Sequence, residues 1–234
     1  PWPSRANTMA SPTRQQVQLL DAATAIRLDP DKAEAAYLAR QLVQATLPHK
    51  DPGNVPEWTR TNGDLVLSIR SGRTTDPKTA KRKNIGYPYG TIPRLLLFWM
   101  TTEALRTGSP RLELGKSLAA FMRQLGLDPS RGGKRSDAKR LRDQMQRLFR
   151  ATISFEQIQG NKQSWLDMQI APKGMLCWDE KQPEQHTLWD SWIQLSEDFY
   201  NAITAAPVPV DVRALKALKR SPLALDLYAW ATYT

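Results

Sequence analysis

Hydrophobic and polar positions change rhythm several times along this chain. Residues 13–47 follow a helical rhythm. Within them DPDKAEAAYLARQLVQATLP opens at Asp29 with Pro30 at the first helical position. Ala36, Leu38, Leu42, Val43 and Leu47 then form a rough apolar stripe, which Pro48 stops. From His49 to Tyr89 the pattern dissolves into Pro, Gly, Asn, Asp and Thr, broken by DLVLSIR, which reads as a short strand. A helix resumes at Thr91, a capping residue with Pro93 in the first turn. PRLLLFWMTTEALRTG is apolar nearly all round through Met100, the mark of a central buried helix, and Gly108 closes it.

Downstream, RLEL (Arg111 to Leu114) alternates as a strand. KSLAAFMRQLG is a second helix, with Leu118, Phe121, Met122 and Leu125 on one face. Gly126 stands where a left-handed cap belongs, and Leu127 is placed to fold back in a Schellman motif. After the loop DPSRGGKRS, Ser136 caps a third helix that runs to about Arg150, with Asp137 favoured in its first turn by the helix dipole. TISFEQIQ and SWLDMQI are strands joined at Gly160-Asn161, a dipeptide suited to a tight hairpin. LWDSWIQL is a further strand, and SEDFYNAI a short helix capped by Ser196. Helix, strand, helix, helix and hairpin in this order form the sequence of a winged helix-turn-helix, in which the third helix and the hairpin wing face nucleic acid.

Charge adds direction to this picture. The chain of 234 residues carries a formal net charge of +10, which favours an anionic partner such as nucleic acid. Much of that charge lies in RGGKRSDAKRLRDQMQRLFR. Around the third helix Ala138, Leu141, Met145, Leu148, Phe149 and Thr152 fall on one arc, and Lys139, Arg140, Asp143, Gln146, Arg147 and Arg150 on the opposite one. Arg142 and Gln144 sit on the flanks. Asp143 and Arg147 make one supporting pair four residues apart, and the other cations are expected to lack partners on this helix. Phosphates would neutralise such a face, Gln144 or Arg140 could touch bases, and Gly132 and Gly133 would let a backbone approach a phosphate. The candidate DNA-binding residues are Arg131, Lys134, Arg135, Ser136, Lys139, Arg140, Arg142, Gln144, Arg147 and Arg150. The alternative is an ordinary solvated face. A second basic cluster, Lys78, Lys81, Arg82 and Lys83, reads either as a flexible linker or as a DNA arm.

Other chemistries find little support. Gly115-Lys116-Ser117 suggests a phosphate-binding loop, but such a loop needs glycine where Pro110 stands. The single cysteine, Cys177, lies in an apolar stretch with no histidine near it in sequence and is expected to be a buried thiol. It permits no internal disulfide, which fits a reducing cytoplasm. Two histidines, His49 and His186, and one cysteine are too few for a zinc site of closely spaced ligands. Asp179, Glu180 and Glu184 read as solvent-facing acids. The longest apolar run, Leu95 to Met100, is far short of the roughly 20 residues that cross a bilayer. The expectation is therefore a non-enzymatic protein with no cofactor, no metal and no membrane partner.

YPYGTIPRLLLFWMTTEALRTGSPRLELGKSLAAFMRQLGLDPSRGGKRSDAKRLRDQMQRLFRATISF, with the later PVPVDVRALKALKRSPLALDLYAW, resembles the RepA-type plasmid replication initiators over residues 85–234. The resemblance implies a protein of two winged-helix domains that binds repeated sites at a plasmid origin in the bacterial cytoplasm. It also implies host replication proteins, a helicase or its loader, as partners. In such initiators the first domain often serves dimerisation and backbone contact, and the second reads much of the site. The expected architecture is α+β. It comprises an N-terminal helical extension and basic linker (1–84), a first winged-helix domain (85–210) and the opening helix of a second (211–234), where the chain reads as truncated. A winged-helix transcriptional repressor and a dimerisation or protein-interaction module are the alternatives.

Overall fold

The computed structural model describes residues 11–76, 79–130, 136–178 and 190–233. The helices are α1 (Arg14–Leu28), α2 (Arg40–Gln44), α3 (Thr91–Thr107), α4 (Leu118–Gln124), α5 (Asp137–Phe149), α6 (Glu197–Ala205), α7 (Val212–Leu218) and α8 (Pro222–Tyr233). The strands are β1 (Ala35–Ala39), β2 (Trp58–Asn62), β3 (Leu65–Arg70), β4 (Arg73–Thr75), β5 (Arg82–Asn84), β6 (Arg111–Glu113), β7 (Thr152–Gln159), β8 (Lys162–Gln169), β9 (Lys173–Met175), β10 (Trp192–Gln194) and β11 (Pro207–Asp211). The architecture is α+β, and every strand pair is antiparallel.

The centre is α3. Residues Ile92 to Thr101 are all buried, as the unbroken apolar run requires. Around it pack β1, α5, α6, α8 and β6. Its entry needs Gly90, whose φ of 79° and ψ of −154° only glycine adopts without strain. Gly108 ends it in the left-handed conformation, its N–H donating to Ala104 O. The cap of α4 follows the expected Schellman pattern: Leu127 N–H donates to Met122 O at 2.7 Å and Gly126 N–H to Arg123 O at 2.9 Å.

The four-stranded sheet runs β2-β3-β7-β8. Its register places Trp58, Ile69, Ile153 and Met168 in one row across all four strands. Ile69, Ile153 and Met168 are essentially buried against the core, so a one-residue slip would turn this row outward and is strongly disfavoured. The hairpin of β7 and β8 therefore joins β3. The strand after α3, β6, pairs instead with β10, which in turn pairs with β9.

Between Asp29 and Leu47 the structure departs from the helical expectation. A short 3₁₀ turn, Pro30–Lys32, leads into β1, which pairs with β11 through Ala36↔Val210 and Leu38↔Val208. Ala36, Leu38 and Ala39 are buried on this ladder, and only the five residues of α2 are helical. Local propensity lost to a partner about 170 positions away. The helical extension proper is α1, closed by a reciprocal capping box between Thr13 and Gln16. It buries none of its residues and lies along α7. Asp211 caps α7 and accepts from the Arg213 guanidinium, which holds its carboxyl below the usual carboxylate range.

One buried cation ties the fold together. Arg94, 4% exposed, donates from Nε and Nη2 to both carboxylate oxygens of Asp226 at 2.7 and 2.8 Å. Nη2 also donates to Leu47 O, and Nη1 to Pro48 O and Gly90 O. His49 Nε2 approaches Asp226 Oδ2 at 2.7 Å. All five guanidinium protons thus have partners, on two distant segments and on Gly90 one turn back. Removing one member leaves an uncompensated buried charge. Asp226→Ala is expected to lose about 3–5 kcal/mol in a urea unfolding titration, whereas Arg106→Ala, which breaks the exposed pair with Glu103, should leave the unfolding midpoint close to that of the parent chain.

Candidate nucleic-acid interface

The strongest cationic element is α5. Ser136 Oγ accepts from Lys139 N–H, fixing the start of the helix, and Leu141, Met145, Leu148 and Phe149 anchor one face in the core. Asp137 holds the entering loop by accepting from Asp128 N–H at 3.2 Å. The outward face carries Lys139, Arg140, Arg142, Asp143, Gln146 and Arg150, all exposed.

Two candidate residues are turned away from that face. Gln144, expected to reach a base, is 5% exposed, and its Oε1 accepts from Tyr89 N–H at 2.9 Å. Contrary to the expectation from the helical wheel, the flank that Gln144 occupies packs against the segment entering α3. Arg147, expected on the open face, has a side chain only 18% exposed. It lies 3.0 Å from Asp143 and 3.3 Å from Asp51, donates to Tyr87 O, and sits over the Tyr89 ring at 5.4 Å. Both residues hold residues 85–91 against α5. A second correction concerns pairing: Arg140 Nη1 meets Asp137 Oδ1 at 3.1 Å on the same helix. Ser136 is buried and serves as a cap.

Arg131, Lys134, Arg135 and the Gly132-Gly133 pair lie outside the described residues, as do Lys78, Asp179, Glu180, Glu184 and His186. Lys81, Arg82 and Lys83 lie on or beside the β4–β5 hairpin, where Lys83 Nζ pairs with Asp76 at 3.3 Å. Arg82 and Lys83 therefore lie in a strand and not in a plain linker.

The hairpin expected as the wing has a different character. Along β7, its turn and β8 the one basic residue is Lys162, against Glu156 and Asp167. Ile158, Leu166 and above all Trp165, 70% exposed, project from it. Cys177, expected to be a buried thiol, is half-buried, its N–H bound to Ser191 Oγ.

Sequence reasoning missed two features. Lys219 and Arg220, on the turn between α7 and α8, line one hollow with Arg140, Asp137, Asp128 and the first residues of α3. The run KALKR was the signal available. Arg60 was missed too: burial and the nearby Arg94 lower its pKa while Asp226 opposes them, and it stacks on Trp58. Among the described residues no three His, Cys, Asp or Glu side chains gather as metal ligands, and no helix is long and apolar enough to cross a membrane.

The sequence profile described as plasmid encoded RepA protein matches residues 87–234, well over half the chain. The chain therefore belongs to the RepA family of plasmid replication initiators. No curated protein matches the sequence. Among solved structures, domains 2 and 3 of RctB are similar over 70% of this chain and 62% of that one, at 8% identity and a TM-score of 0.44. The chain thus spans less than two thirds of that solved protein.

The inward placement of Gln144 carries a test. Gln144→Ala should cost about 1–3 kcal/mol in chemical unfolding, because Tyr89 N–H is left without its acceptor. Affinity for duplex DNA, measured well below the unfolding midpoint, should stay within about twofold of the parent chain; a base-reading role would reverse this pattern.

Proposed function

We propose that this chain is the DNA-binding part of a plasmid replication initiator, gripping duplex origin DNA through the outward face of α5. The observation that carries this reading is the exposed row Lys139, Arg140, Arg142 and Arg150 on a helix whose other face is locked in the core. A rigid helix with cations on one side can place them against phosphates without backbone ordering cost. With Gln144 and Arg147 turned inward, α5 is equipped for backbone contact more than for base reading. We take the fold as a winged-helix variant in which the hairpin after α5 has been drawn into a larger sheet.

On this reading the protein acts in the bacterial cytoplasm, contributes no catalysis, and works with host replication proteins such as a helicase or its loader. Residues 85–210 carry the DNA-contacting elements, and α8 closes on them through Asp226. Reversing two exposed charges, Arg140→Glu with Arg150→Glu, should weaken binding to a labelled duplex from the plasmid's origin about 10-fold or more. The loss should be similar for cognate and unrelated duplexes, as expected when phosphates are the contact. Binding unchanged by the reversal would exclude α5. A transcriptional repressor would use the same face, but it would occupy a promoter site and leave plasmid replication unsupported.

A second function has its own observation. β8 is an edge strand of the four-stranded sheet, and it and β7 expose Trp165, Leu166 and Ile158. An edge carrying apolar side chains invites pairing. We read it as the homodimer contact of this unit. Trp165→Lys should shift the mass measured by light scattering from dimer to monomer, with unfolding behaviour unchanged; a parent chain that is monomeric at high micromolar concentration would rule this out.

A further inference from the structure

Two hairpins leave the four-stranded sheet, and they leave it from opposite ends. β3 and β7 are antiparallel, with Arg70 paired to Thr152 and Leu65 to Gln157. The β7–β8 turn at Gly160 therefore lies at the end marked by Leu65. The β4–β5 hairpin continues from Arg70 at the other end, where α5 stops at Arg150 and passes into β7.

The root of β4–β5 is built against the last turn of α5. Ile85 N–H donates to Gly72 O at 3.1 Å, and Ser71 Oγ bonds both the N–H and the carbonyl of Gly86. At Gly72 an added Cβ would stand 2.4 Å from Arg150 O, so the backbones touch. At Gly86, where φ is +87°, it would stand 2.7 Å from Arg147 Nη1, so the guanidinium lies against the chain just after the second strand of the hairpin. The same Arg147 donates to Tyr87 O. The hairpin is thus fixed to the helix by a backbone approach at Gly72 that leaves no room for a side chain, and by Gly86, whose positive φ favours glycine.

Its exposed chemistry is cationic. Arg73 and Arg82 fall on one face of the ladder, two positions apart in register, and Lys81 precedes Arg82. Lys83, on the opposite face, is partly neutralised by Asp76. The β7–β8 hairpin offers Lys162 against two acids.

We propose that the β4–β5 hairpin, and not β7–β8, is the wing that flanks α5 on DNA. In this arrangement Arg73, Lys81 and Arg82 bind backbone phosphates adjoining those held by α5. Arg147, with Gly72 and Gly86, acts as a positioning group that sets the angle between helix and hairpin. The proposal rests on the reading that α5 meets DNA, and adds a second element and Arg73 to that interface.

The test uses the full chain and a fluorescein-labelled duplex of about 30 base pairs from the plasmid's origin, titrated by anisotropy from about 50 to about 200 mM potassium chloride. The triple variant Arg73→Ala, Lys81→Ala, Arg82→Ala should lower the slope of log affinity against log salt by about two to three, the number of phosphate contacts removed. A control removing the exposed Arg14, Arg27 and Lys173 loses the same formal charge elsewhere and should leave the slope within about one of the parent value. Gly86→Ala keeps every charge but displaces the root, and should also lower the slope. A triple variant that binds like the parent, or a control that loses as much as the triple, would overturn the wing assignment while leaving α5 in place. A parent chain that does not bind the duplex at all would overturn both.

Discussion

A guanidinium with no access to water must find a partner for every proton, and Arg94 does so by drawing two remote segments to the entry of its own helix. Asp226 supplies the opposite charge from α8, Leu47 and Pro48 supply carbonyls from the end of the N-terminal segment, and Gly90 supplies the carbonyl one turn before Arg94. The entry of α3 is thereby fixed, and α3 is the helix around which the other layers assemble. Because the charge is desolvated, the cluster is an all-or-none device. It demands that residues near 47, 90 and 226 be together, and so it specifies the arrangement of the chain as much as it stabilises it.

The same economy appears one layer out. Gln144 and Arg147 spend their polar groups on the backbone of residues 87–89, which lead from the basic hairpin into α3. That use fixes the path of the chain across α5, so the outward cations stand on a surface defined by buried polar contacts. The outward face is consequently less basic than the bare count of arginines implies. Fold and interface share residues here, so a change at Arg147 would disturb both.

The two hairpins show how charge and apolarity have been separated on one sheet. One end carries β4–β5, rooted on α5 and rich in Arg and Lys. The other carries β7–β8, whose Trp165 and Leu166 stand exposed on an edge strand. An anionic partner and an apolar one can then be held by opposite ends of the same rigid element.

Features governed by neighbours within about five residues were legible in the sequence. The Ser136 cap, the Schellman close at Gly126, the Gly160-Asn161 turn and the all-round apolar α3 depend on local hydrogen bonds and periodicity, and each stands where the pattern put it. The amphipathic split of α5 was legible for the same reason. The wheel could not show that the flank holding Gln144 faces Tyr89, because that depends on a segment 55 residues away. Ala36 and Leu38 fit a helix as well as a strand until β11 supplies a ladder for them. Arg94 and Asp226 are unremarkable letters 132 positions apart. The sequence by itself determined the local elements and the sign of the charge. Tertiary structure alone decided which strands pair, which polar groups are spent internally and which hairpin stands beside α5, because each depends on contacts whose partners are remote along the chain.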